Sequence, residues 1–98
     1  MKVEELIAEH RAIESALEQG LEFRALLADH YRKEEPVLES LCTPAVSAKL
    51  RAQHAEALEI AAGLEEADAR DAEYLRRRLV AIVQHNIIEE ERDVFAVG

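Results

Sequence analysis

The feature that most constrains this chain is an apolar seam at helical spacing that is repeatedly interrupted by a histidine. In the clearest case Phe23, Leu26, His30, Glu34, Val37 and Leu41 follow one another in steps of three or four, the period of the buried face of an amphipathic helix. His30 and Glu34 stand where leucines would be expected. Residues at i and i+4 lie one above the other on a helix, so this imidazole and this carboxylate can close on one cation or on two neighbouring ones. Buried without partners, a neutral polar group costs roughly 2–7 kcal/mol and a charge costs more. A seam that carries both implies a group that compensates them.

The rest of the chain repeats the pattern. A first helix is predicted from about Val3 to Glu18, with Val3, Leu6, His10, Ile13 and Leu17 on its stripe and Gly20 just past its end. The second runs from about Leu21 to Leu41. Pro36 inside it lacks an N–H and should oppose the Arg32 carbonyl, which predicts a kink or an early end. Thr43-Pro44 opens a third helix, threonine as N-cap and proline at the first helical position. Its inner face reads Val46, Leu50, His54, Ala57 or Leu58, Ala61 and Leu64. Gly63 and the polar stretch Glu65–Asp71 end it, and Asp68 or Asp71 can cap a fourth helix running to near Phe95. Leu75, Leu79, Ile82, Val83, Ile87 and Val94 form the inner side of that helix. Short turns make successive helices antiparallel neighbours. The expected fold is all-α, an up-down-up-down four-helix bundle, with residues 1–98 as a single domain.

Composition narrows the partners. A formal charge of −9 disfavours a nucleic-acid backbone, which wants a basic face, and suits multivalent cations. One cysteine, Cys42, excludes an internal disulfide and fits a reducing compartment. The N-terminus opens an amphipathic helix rather than a signal peptide, and no stretch reaches the ~20 apolar residues of a membrane span. The chain reads as soluble and cytoplasmic, with no membrane partner.

Each of the four histidines falls in a different helix, and His10, His30 and His54 lie on the seam. Roughly a third of helix positions face a core, so three independent histidines would all do so by chance in only about 4% of cases. At ~1.5 Å per residue, alternating helices bring all three to a middle layer. Imidazole with carboxylate suits iron, manganese or zinc, and the lack of thiolate donors disfavours a structural zinc site. Four histidines and at least two carboxylates exceed one tetrahedral ion, which favours two ions bridged by carboxylates. On the fourth helix, at 100° per residue, the apolar face centres near Glu90 with Asn86 beside it. Three pairings compete there: His85 with Glu89 on a regular helix, His85 with Glu90 across a π-bulge, or Glu90 beside Asn86. The bulge pairing is preferred, since such bulges are frequent at functional sites, with Glu89 next.

Taken together, His10, His30-Tyr-Arg-Lys-Glu34, His54 and His85-Asn-Ile-Ile-Glu89-Glu90 resemble the hemerythrin family, including the bacterial hemerythrin-like cation-binding (HHE) domains. The flanking Lys33-Glu34-Glu35 and Glu90-Glu91-Arg92-Asp93-Val94-Phe95 are similar too. The resemblance implies a pair of non-haem iron ions, oxo- or hydroxo-bridged, with Glu34 and Glu90 (or Glu89) as bridges. It implies His10 and His30 on one iron and His54 and His85 on the other. Zinc or manganese are the substitutes such a donor set would accept. One departure stands out: oxygen-carrying members have a second histidine four residues after that on helix three, and here Leu58 occupies the position. Water, Glu14 or Tyr31 are candidates to replace it. A more open site suits binding or sensing of dioxygen, peroxide or another small oxidant rather than pure oxygen carriage. Leu58, Ile13, Phe23, Leu27 and Ile87 are candidates to wall it. The alternatives are a di-iron stress enzyme, disproportionating peroxide or reducing nitric oxide, and a zinc-binding or purely structural bundle. A ferritin-like site is rejected because it needs Glu three residues before His, and those positions hold Ile7, Leu27, Arg51 and Ile82.

Other features take bland readings: Cys42 as a small packed side chain, Arg76-Arg77-Arg78 as a solvated face, Tyr31 and Tyr74 as packing residues. Glu35, Glu91 and Asp93 read as surface charge.

Overall fold

The computed structural model describes residues 2–19 and 23–95. Four α-helices follow in order: α1 (Val3–Gln19), α2 (Arg24–Leu41), α3 (Pro44–Glu66) and α4 (Ala69–Glu89). A π-helical segment, Glu90–Val94, continues α4. Among the described residues no strand interrupts this all-α bundle. The expected Gly20 terminator and a helix start at Leu21 lie outside the described residues.

The caps explain the boundaries. Thr43 is the N-cap of α3, its hydroxyl accepting from Val46 N–H at 3.3 Å, with Pro44 in the first turn. Asp68 caps α4, its carboxylate accepting from Asp71 N–H at 2.9 Å, so of the two aspartates weighed it is Asp68 that serves. Helix α2 does not end at Pro36 but continues to Leu41. One turn short of its end Leu38 is fully buried, and its carbonyl accepts from the Cys42 amide and thiol. Burial and capping at the far end outweigh the hydrogen bond that proline removes.

Neighbouring helices run antiparallel, as their contacts record. Along α2 and α3, Arg24 pairs with Glu65 while His54 meets Glu35. Along α3 and α4, Gln53 meets Asn86 and Glu56 meets Arg78. On α1 and α4, His10 meets Glu91 and the Leu17 carbonyl accepts from Arg76. Contacts that step forward on one helix step back on the other, which is the up-down-up-down arrangement.

The seams rotate slightly from their expected positions. On α2 the buried residues are Leu27, His30, Tyr31, Glu34 and Leu38; Leu41 is half exposed. On α3 the exposed Val46 gives way to the buried Ser47, and Ala57 is buried where Leu58 is only partly so. The largest apolar cluster joins Ile13, Leu17, Phe23, Leu27, Leu79 and Ile87 with their neighbours. Leu6, Leu38 and Leu50, also buried, lie toward the other end of the same helices. Between these two apolar zones sits a polar layer. The Arg76–Arg78 run is a paired surface, Arg77 with Glu73 and Arg78 with Glu56. Among the described residues no helix is long and apolar enough to cross a membrane.

Removing a cap tests this account of the α3–α4 turn. Asp68→Ala should lower stability by about 1 kcal/mol, read as a lower urea midpoint at unchanged slope; an unchanged midpoint would contradict it.

Candidate metal centre

Every helix contributes to the polar layer, counting Glu90 as the continuation of α4. His10, His30, Glu34, His54 and Glu90 are all at most 1% exposed. Helical spacing puts His30 and Glu34 on one face of α2, with His30 Nε2 3.0 Å from Glu34 Oε2. From α1, His10 Nε2 lies 2.9 Å from the same oxygen and 3.3 Å from Glu90 Oε1. From α3, His54 Nε2 lies 3.1 Å from Glu34 Oε1 and 2.7 Å from Glu90 Oε2. Each carboxylate therefore turns one oxygen toward the His10 side and the other toward His54. Two groups of buried donors result, His10–His30–Glu34 and Glu34–His54–Glu90, each with ligand atoms within 4.8 Å of one another. Glu34 belongs to both, the disposition of a bridging carboxylate.

The far side of each ring is also occupied. His10 Nδ1 is 2.8 Å from Glu91, His30 Nδ1 is 2.7 Å from Glu9, and His54 Nδ1 is 3.0 Å from Glu35. These three outer glutamates reach the surface, where Arg11 pairs with Glu91, Lys33 with Glu9 and Arg51 with Glu35. A carboxylate behind each imidazole can accept a proton from Nδ1 and leaves Nε2 as the nitrogen that faces inward, the arrangement that orients histidine ligands. Glu35 and Glu91, read from the sequence as surface charge, and Glu9, not singled out at all, are thus parts of the site. The available signal was an acidic residue adjacent in sequence to His10, Glu34 and Glu90.

The electrostatics follow from this geometry. A neutral imidazole has one N–H to give, yet both nitrogens of each ring face carboxylate oxygens. With the proton on Nδ1, Nε2 and the inner carboxylate would present lone pairs to each other. A second proton or a metal cation between them turns that repulsion into attraction. Burial works to lower the pKa of His10 and of His54, but hydrogen bonds to Glu34 and Glu90 outweigh it and push both up to about 10. For Glu34 burial acts upward, and the hydrogen bonds to His10, His30 and His54 hold it well below the usual carboxylate range. Among the described residues, Asn86 Oδ1 and the Tyr31 hydroxyl are buried without a hydrogen-bond partner, while Glu34 Oε1 and Glu90 Oε1 face only the Nε2 atoms of His54 and His10, at 3.1 and 3.3 Å. Surplus acceptors clustered with inward-facing imidazoles fit a cation.

Helix α4 departs from expectation. His85 is 71% exposed, its Nε2 3.2 Å from Glu89, and the structure does not bring it to the cluster. Glu89 lies on the flank, held by Lys49 and by Gln53 at 3.0 Å. The hydrogen bond from Lys49, with that from Gln53, keeps its pKa below the ordinary value. Inward-facing positions are Val83, Asn86, Ile87 and Glu90. A π-helical segment is present as anticipated, but it begins at Glu90, after His85. The extra residue enters too late to rotate His85 inward, so Glu90 stands beside Asn86.

The candidate replacements for the missing histidine also separate. Glu14 is a third exposed and pairs with Arg11. Tyr31 is buried and stacks on His54, ring centroids 3.8 Å apart and nearly parallel. Burial, with the charges of Glu90, Glu34 and Glu35, pushes its pKa well above the ordinary phenol value, so its hydroxyl stays protonated and able to donate. Tyr74 is exposed at the surface. Of the expected apolar walls, Ile13, Phe23, Leu27 and Ile87 join one buried cluster with Tyr31, and Leu58 packs against it.

Comparison with models of known protein families, with curated proteins and with solved structures finds no match. The buried His/Glu cluster thus carries the functional reading by its own geometry.

The raised histidine pKa values set a pH dependence for the metal-free protein. A folded pKa above the unfolded value of 6.5 means that stabilisation from His10 and His54 is complete below about pH 6.5 and is lost as pH rises to about 10. The lowered Glu34 pKa acts oppositely, its contribution present above about pH 4.5 and lost in acid. Urea melts of metal-free protein should show stability greatest between those limits and declining toward pH 10; a flat profile from pH 6 to 10 would contradict the pairing.

Proposed function

We propose that the protein is a hemerythrin-like di-iron protein that binds or senses dioxygen or a related small oxidant. The observation that carries this reading is the division of Glu34 and Glu90, each of which offers one oxygen to the His10–His30 side and one to the His54 side. One ion does not need two carboxylates so divided; a bridged pair does. All-nitrogen-and-oxygen donors suit iron, and manganese or zinc after it. Iron held this way would supply reversible electron transfer and an open position for a small ligand.

The chain's own residues set the conditions at that position. His10 and His30 give one side two nitrogens, while His54 gives the other side one, so the His54 side is the more open. Glu9, Glu35 and Glu91 fix the ring orientations from outside. Ile13, Leu27 and Ile87 keep the cluster's apolar flank buried, which limits water entry. The Tyr31 hydroxyl, buried without a partner beside His54, is a donor for a ligand placed there. Peroxide disproportionation is the enzymatic alternative and makes a different prediction, gas evolution from added peroxide.

Metal analysis decides first. Aerobically purified protein should contain about two irons per chain, with the near-ultraviolet charge-transfer absorption of a bridged ferric pair. Stoichiometric zinc without iron after growth in iron-replete medium would overturn the iron assignment. His54→Ala should reduce metal content and Cys42→Ala should not; equal loss in both would contradict the site. Tyr31→Phe should keep the iron and weaken azide binding by roughly tenfold or more, the effect of losing a hydrogen bond to a charged group, in a spectrophotometric titration.

A further inference from the structure

We infer that Asn86 is a metal ligand, its side-chain carbonyl oxygen completing the His54 side of the centre in place of the histidine expected on the fourth helix. This inference rests on the two-ion reading above. Asn86 is 1% exposed and lies one helical turn before Glu90, on the same inner face. It therefore occupies the inward position that His85 does not reach.

A chain of hydrogen bonds fixes which end of the amide faces inward. Lys49, at the surface, pairs with Glu89. An ionised carboxylate only accepts, so Gln53 must turn its amide nitrogen to Glu89, which it does at 3.0 Å. Gln53 then presents its oxygen to Asn86, and Asn86 donates its own amide nitrogen at 2.7 Å. With the nitrogen engaged, Asn86 Oδ1 points away from Gln53, buried and with no donor. A buried amide oxygen without a partner costs on the order of 1–3 kcal/mol, which a cation would offset.

Donor chemistry supports the placement. The His10 side has two imidazoles and an oxygen from each bridging glutamate, whereas the His54 side has one imidazole and the other two oxygens. Gln53, which holds the Asn86 amide, immediately precedes His54 on α3. An amide oxygen is an accepted ligand for hard divalent ions and a weaker one than imidazole. The two ions should thus differ in affinity, the His54-side ion being the looser. Gln53 and Glu89 act as positioning residues, since they set the amide's orientation without facing the ions.

The test is anaerobic titration of the metal-free full chain with ferrous iron, followed by metal content after desalting, in wild type, Asn86→Leu and Asn86→Asp. Wild type should take up two ions in two stages. The leucine variant removes the oxygen at similar volume. It should keep the tighter ion and lose affinity for the second by about tenfold or more, at least the loss seen when supporting groups of metal sites are removed. Asn86→Asp keeps an oxygen at the same reach and should hold both ions, the second at least as tightly as wild type. If the leucine variant holds two ions with wild-type affinities, or if the aspartate variant loses the second ion, the inference is wrong while the two-ion centre stands. If wild type itself takes up fewer than two ions, the centre fails. Should circular dichroism show the leucine variant unfolded, the aspartate variant alone decides by the same criterion.

Discussion

Three buried imidazoles, each held between two carboxylates, are the constraint on which the rest of the structure depends. An imidazole with acceptors on both sides is attractive only when it carries a second proton or faces a cation. Two carboxylates with almost no exposure add a desolvation cost of several kcal/mol each. The bundle meets these demands by layering. Glu34 and Glu90 lie innermost, the rings of His10, His30 and His54 around them, then Glu91, Glu9 and Glu35, and Arg11, Lys33 and Arg51 outermost. Acidic and basic side chains alternate from the centre to the surface.

That layering explains features that have no account as packing alone. The polar layer divides the core into the large apolar cluster around Leu27 and Leu79 and the smaller group of Leu6, Leu38 and Leu50. Helix α2 persists through Pro36, which carries Leu38 into that second group. The π-helical segment begins at Glu90, the residue whose carboxylate must face both His10 and His54. Tyr31 lies against the His54 ring with its hydroxyl buried, a cost that a structural role for the ring alone would not require.

Much of this was legible in the sequence. Seam positions for His10, His30, Glu34 and His54 follow from a period near 3.6, and these four side chains meet in the structure. The four helices, the Thr43-Pro44 start and the antiparallel order were legible for the same reason, because periodicity and capping are local. What was not legible depends on rotation between elements. A small turn of α2 exchanges Leu41 for Leu38 at the core. On α4 the preferred pairing, His85 with Glu90 across a bulge, kept a histidine ligand where the centre of the apolar face pointed to Asn86 beside Glu90. The outer glutamates escaped because each partners a histidine on another helix: Glu9 serves His30, Glu35 serves His54 and Glu91 serves His10. Their adjacency to His10, Glu34 and Glu90 within one helix marks them as candidates, but which histidine each serves depends on the packing of another helix.

The central claim is that protons and metal compete for the same inward-facing nitrogens, and proton release on metal loading tests it most directly. Metal-free protein in weak buffer near pH 7, where His10 and His54 remain protonated with pKa values of about 10, should release about two protons as it takes up its ions, because ligating imidazoles must give up their inward proton. Metal uptake with no proton release would place the ions on the acidic surface and contradict the account.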